Sequence, residues 1–209
     1  MKKKLYILIA VALMIFVDSR GGMSYFQRSL IKIILFGFVP FIMLRWRKEA
    51  LPNLKSNQYL KYIIGLSLVI IVSILLGAYG LNHYGLFDQV QGSLAQQVGV
   101  TKYNYPFVFI YIVLINGPLE EFFFRHFSYE SKWHFKGLST SLLFSLYHVG
   151  MLFTMFDWYL FLLAMSGLVL VSLFFIAVNT RKHSILNSIL LHMAANFAIN
   201  LVGWFLIMN

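Results

Sequence analysis

Asn116-Gly-Pro-Leu-Glu-Glu-Phe-Phe-Phe-Arg125 sets two adjacent carboxylates and an arginine directly after an apolar run, residues 105–115. A charge at the centre of a bilayer-spanning helix costs at least ~2.5–3.5 kcal/mol, so a carboxylate at that depth marks a functional site by default. Glu120 and Glu121 incur that cost twice in succession. The reading of the chain turns on whether this stretch lies in a membrane and on which other polar residues reach its level.

Composition answers the first question. The chain is 60% hydrophobic and only 11% charged, with mean hydropathy +0.76, whereas a soluble domain carries roughly 25% charged residues. An all-α, polytopic transmembrane bundle is the fold expected. Apolar runs at residues 4–17, 30–44, 62–81, 105–127, 137–156, 158–178 and 185–208 give about seven spans. Pro40 is expected to kink the second, and Asn116-Gly117-Pro118 to interrupt the fourth. A polar connection, residues 82–103, separates spans three and four. The whole reads as one integral-membrane domain, with 1–104 supplying N-terminal helices and 105–209 the site-bearing core.

The net charge of +10 does not indicate nucleic acid, because the basic residues sit in short clusters between apolar runs. With the N-terminus in the cytoplasm, 13 of the 17 lysines and arginines fall on the cytoplasmic side. Arg20, Arg28, Lys32 and Lys102 fall on the other. The expected location is a bacterial plasma membrane with the N-terminus inside. Lys2-Lys3-Lys4 before an apolar run resembles the start of a secretory signal, but no small-x-small cleavage site follows, so an uncleaved anchor is expected. There is no cysteine, which excludes thiolate nucleophiles, thioester intermediates and cysteine zinc sites on this chain.

Depth answers the second question. At ~1.5 Å per residue, Glu120 lies about 15 Å, His148 about 16 Å and His192 about 12 Å from the cytoplasmic ends of helices four, five and seven. A carboxylate and two imidazoles therefore arrive at one level, and a site inside the bundle between those helices is expected. Glu121 and Arg125 are spaced i,i+4 and can pair; so spaced, His192 and Asn196 share a face. Phe144, one turn before His148, can form an apolar wall. Packed core histidines and a helix-locking ion pair are the bland alternatives.

A desolvated glutamate assisted by histidine can take a proton from water, and a second imidazole with an amide can donate to a developing oxyanion. That set suffices to hydrolyse an amide without a side-chain nucleophile. No cofactor is demanded. Glu120, His148 and His192 can equally be read as ligands of a divalent metal such as zinc, although no His-Glu-x-x-His helix is present.

Glu120-Glu121-x-x-x-Arg125, Phe144-x-x-x-His148 and His192-x-x-x-Asn196, in this order on successive apolar segments, resemble the CAAX-protease and bacteriocin-processing (CPBP) family of intramembrane proteins. The resemblance covers about residues 105–209. It implies that Glu120 and His148 activate water, that His192 and Asn196 stabilise the oxyanion, and that Glu121, Arg125 and Phe144 support them. His126 departs from the glycine that often follows the motif arginine.

The implied activity is an intramembrane endopeptidase acting on a membrane peptide, prenylated peptide or lipoprotein in the bilayer. A lipoprotein N-acyltransferase component, with a partner protein carrying the acyl group, and a non-catalytic immunity or scaffold protein remain open on the same scaffold.

Overall fold

The computed structural model describes residues 2–20, 22–56, 58–83, 100–182 and 184–208, and every regular element among them is helical. The expected polar connection, residues 82–103, lies largely outside the described residues. Helix α1 is Lys2–Ser19, α2 is Tyr25–Trp46, α3 is Leu60–His83 and α4 is Tyr105–Ser131. A broken pair follows, α5 Lys136–Tyr147 and α6 Val149–Leu152, then α7 Trp158–Lys182 and α8 Leu186–Met208. Five of these, α2, α3, α4, α7 and α8, are long and apolar enough to cross a membrane. With α1 and the α5–α6 pair they make up the seven segments expected.

Local sequence explains the ends. Ser24 and Gln27 form a reciprocal capping box, with Gln27 N–H donating to Ser24 Oγ at 3.2 Å and Ser24 N–H to Gln27 Oε1 at 2.9 Å. That start adds more than a turn to the expected second span. Helix α4 stops at Lys132, which takes a left-handed φ of 58°.

Two expected interruptions prove to be changes of winding. Residues Ile33–Phe38 and Ile112–Asn116 are π-helical, and each segment lies just ahead of a proline, Pro40 or Pro118. Proline has no N–H and its ring crowds the carbonyl four residues earlier. A wider turn relieves both: Val39 N–H bonds to Ile34 O and Gly117 N–H to Ile112 O, each across five residues. Helix α4 therefore runs through Asn116-Gly117-Pro118 with a change of winding rather than the expected interruption.

The fifth apolar run does break. His148 sits at φ −80°, ψ −8°, and its N–H bonds to Ser145 O at 3.0 Å. The chain turns because Gly150 presses on α1, where a Cβ would lie 2.5 Å from Ile15 O.

The core lies between α1, α2, α4 and α5. Phe36 stacks on Phe123 with centroids 4.0 Å apart and planes 10° from parallel, and meets Tyr147 edge-on at 5.2 Å. Ile7, Ala10 and Met14 of α1 are sealed into the same cluster. Helix α3 packs chiefly on α8 and leaves Leu68, Val72 and Leu76 exposed, as does a helix facing lipid.

Polar contacts fix the direction of each pass. At one end Lys3 pairs with Glu49 at 2.6 Å, His126 Nε2 donates to Ala50 O at 2.9 Å, and Ile185 N–H donates to Asn53 O at 3.0 Å. At the other end Arg28 donates to Arg20 O at 2.7 Å and Tyr105 OH to Asn200 O at 2.7 Å. The basic clusters thus collect at one end of the bundle. Lys32, expected on the opposite face, instead has a side chain only 13% exposed that points into the core.

Candidate active site

A short α-helical turn, Gly117–Glu120, separates the π-helical stretch Ile112–Asn116 from another, Glu121–Ser128, and the two carboxylates lie at that second boundary. Asn116 and Glu120 are four residues apart, so Asn116 Nδ2 donates to Glu120 Oε1 at 2.8 Å. Tyr147 OH donates to the same oxygen at 3.1 Å, and Lys32 Nζ lies 3.4 Å from it. Lys32 also donates to Asn116 Oδ1 at 2.7 Å, closing a lysine–amide–carboxylate triangle. Glu120 Oε2 is different: it is buried, has no hydrogen-bond partner, and faces His192 Nε2 across 3.7 Å.

Glu121 points to the other side. Its Oε1 accepts from His192 Nδ1 at 2.8 Å, and its Oε2 lies 3.3 Å from Arg125 Nε. The Arg125 guanidinium carbon sits 4.1 Å over the Phe144 ring and 5.4 Å over Phe175, so aromatic faces flank a cation that is fully buried. Glu120 and Glu121 thus each have a cation beside them, Lys32 and Arg125, although no guanidinium nitrogen of Arg125 makes a hydrogen bond.

The remaining expected residues are gathered less tightly. His148 Nδ1 donates to Phe144 O at 2.8 Å, leaving Nε2 available, and its ring packs on Tyr147 at 4.6 Å. The hydroxyl of that same Tyr147 reaches Glu120. Asn196 Nδ2 donates to Ile112 O at 3.1 Å, supplying a partner to a carbonyl of the π-helical segment. Phe144 forms the expected wall, 4.8 Å from His148 and 6.1 Å from His192. Gly117 lets α4 and α8 close, since a Cβ there would meet Asn196 Nδ2 at 3.2 Å and His192 at 3.8 Å.

The atoms left open are Glu120 Oε2 and the Nε2 atoms of His148 and His192, because Nδ1 of each ring is held by a backbone carbonyl or by Glu121. Among the described residues no three acidic or imidazole side chains converge as ligands.

Sequence reasoning missed Lys32 and Tyr147 and read Asn116 only as a helix breaker. Signals existed for all three. Lys32 interrupts an apolar run, Asn116 is i,i+4 to Glu120, and Tyr147 adjoins the motif histidine.

Five helices of membrane-crossing length, with carboxylates, cations and an imidazole buried between them, are the architecture of an integral membrane protein. Residues 102–198, a little under half of the chain, match the family described as type II CAAX prenyl endopeptidase Rce1-like, which is part of the CPBP family. At family level the match supports an intramembrane peptidase. No curated protein and no solved structure matches the chain. The matched segment contains Glu120, Glu121, Arg125, Phe144, His148, His192 and Asn196.

Proposed function

We propose that the chain hydrolyses an amide in a membrane-associated peptide or lipopeptide, using water activated by Glu120. One observation carries this reading. Three donors hold Glu120 Oε1, whereas Oε2 has no partner and stands 3.7 Å from His192 Nε2. That gap is too long for a hydrogen bond, and because Oε2 is sealed from solvent, a water bridges the two groups only when they part slightly.

The hydrogen bond to Glu121 sets the tautomer. A carboxylate accepts only, so His192 Nδ1 carries a proton, and Nε2 is an acceptor when the ring is neutral. A bridging water then donates to two acceptors, Oε2 and Nε2. Transfer of one proton to this pair leaves the water oxygen to attack the amide carbon. The protonated partner, with the second Asn196 N–H, donates to the oxyanion. His148 Nε2 assists from the Tyr147 side. The same proton passes to the leaving nitrogen as the C–N bond breaks, giving a carboxylic acid and an amine. The expected setting is a bacterial plasma membrane, with the lysine-rich end of the bundle in the cytoplasm.

The test uses a farnesylated peptide ending in the CAAX pattern, with purified protein in lipid nanodiscs. Glu120→Gln is expected to lower the cleavage rate by about 100- to 10,000-fold, the range for a general base. In H₂¹⁸O, one ¹⁸O should enter the new C-terminal carboxyl. An unchanged rate in the variant overturns the assignment, and a product acylated on an amine nitrogen points instead to acyl transfer.

A further inference from the structure

Lys32 lies on α2, outside the 102–198 segment that carries the family match. A lysine at bilayer depth costs at least ~2.5–3.5 kcal/mol, yet its side chain is 13% exposed and its ammonium is placed on two site residues. We propose that Lys32 is a positioning residue for Glu120, holding the carboxylate ionised and turned so that Oε2 faces His192. The proposal rests on Glu120 being the base.

The geometry separates the two oxygens of one carboxylate. Asn116 takes the Lys32 proton on Oδ1 and gives its own Nδ2 proton to Oε1, so amide and ammonium fix the same oxygen. The Lys32 ammonium also stands 4.9 Å over the ring of Tyr147, the third donor to Oε1. Rotation of the carboxylate would break all three contacts. Oε2 is thereby kept free of protein donors.

The surrounding charges single out Lys32 as the counterion of Glu120. From α4, Arg125 is matched by Glu121, and both act on the far side of His192. From α1, Asp18 adds negative charge within electrostatic range. Tyr25 and Tyr111 are uncharged hydroxyls on α2 and α4. Tyr147 from α5, the corner residue His148, and His192 from α8 complete the groups around the carboxylate. Removing Lys32 leaves Glu120 without its counterion, with the Asp18 carboxylate, which Arg28 also influences, still within electrostatic range.

The experiment is the pH dependence of kcat/KM for the farnesylated peptide. An opposite charge within ~4–6 Å favours an ionised carboxylate by about 1–3 pH units. Lys32→Met should therefore move the acidic limb upward by at least about one unit, with about a tenfold loss below the limb. Lys32→Arg should restore the limb, because it returns the charge. A residue that only supports the fold would scale the whole profile without moving the limb, and that result overturns the proposal.

If Lys32→Met fails to accumulate, Lys32→Gln retains a donor for Asn116 without the charge and makes the same test. Loss of activity in Glu120→Gln with an unmoved Lys32→Met profile removes Lys32 alone. Activity retained in Glu120→Gln removes the reading beneath it.

Discussion

Glu121 on α4 accepts a 2.8 Å hydrogen bond from His192 Nδ1 on α8 while its second oxygen faces Arg125 at 3.3 Å. One carboxylate thus orients the imidazole and neutralises the buried guanidinium. Glu121→Gln keeps an acceptor for Nδ1 but leaves Arg125 without a counterion. Removing one partner of a buried pair costs about 3–5 kcal/mol, so a marked fall in Tm in detergent is expected. Glu121→Gln combined with Arg125→Met should recover most of that stability, because no uncompensated charge remains. Equal Tm values for the single and double variants would contradict the pairing.

Gly150 is where α6 meets α1. A Cβ there would lie 2.5 Å from Ile15 O and 3.2 Å from Asp18 Cβ, and helix backbone yields little. Gly150→Val should destabilise by about 1–3 kcal/mol, the usual cost of overpacking. It should also lower kcat, since His148 is two residues away. Gly65→Val, where nothing lies within 4 Å, is the control and should leave both unchanged.

Phe36 is fully buried and touches Phe123, Phe124 and Tyr147. Phe36→Ala should cost about 3–5 kcal/mol through the cavity it leaves. It also removes the ring that holds Tyr147 against Glu120. Activity should fall more than in Phe36→Leu, which keeps most of the volume; equal activities would detach the aromatic core from the site.

Glu49 offers a pH-dependent test outside the membrane-spanning segments. Burial raises its pKa, but hydrogen bonds from Lys3 and Arg47 and their charges more than offset this, so the net shift is downward. A lowered folded-state pKa means the stabilisation is present above the ordinary carboxylate range and is lost as pH falls through the lowered value. The pair is partly exposed and worth about 0.2–1 kcal/mol. Glu49→Gln should lower Tm slightly at pH 7, and the difference from the parent should vanish in acid.

The sequence made the helical class, the alternating directions and the meeting of Glu120 with His192 readable, because apolar length, basic clusters and depth are one-dimensional quantities. Lys32 escaped because the positive-inside rule counts a lysine near a helix end as a loop residue. Only the longer α2, started by the Ser24 capping box, draws it inside. The winding near Asn116 escaped for another reason: proline announces a missing hydrogen bond, but tertiary packing decides whether the helix breaks or widens. The corner at His148 depends on Gly150 meeting α1, a contact that no local pattern contains.

That corner also bears on the surrounding lipid. Helix α5 has 12 residues, which reach about 18 Å at ~1.5 Å per residue, against a hydrocarbon core of about 30 Å. A hydrophobic mismatch is expected where the chain turns at His148, with lipid shortened or water admitted beside it. Membrane thickness then becomes a variable of the proposed activity. Proteoliposomes of 14-carbon acyl chains should support faster turnover than those of 22-carbon chains, with the protein folded in both.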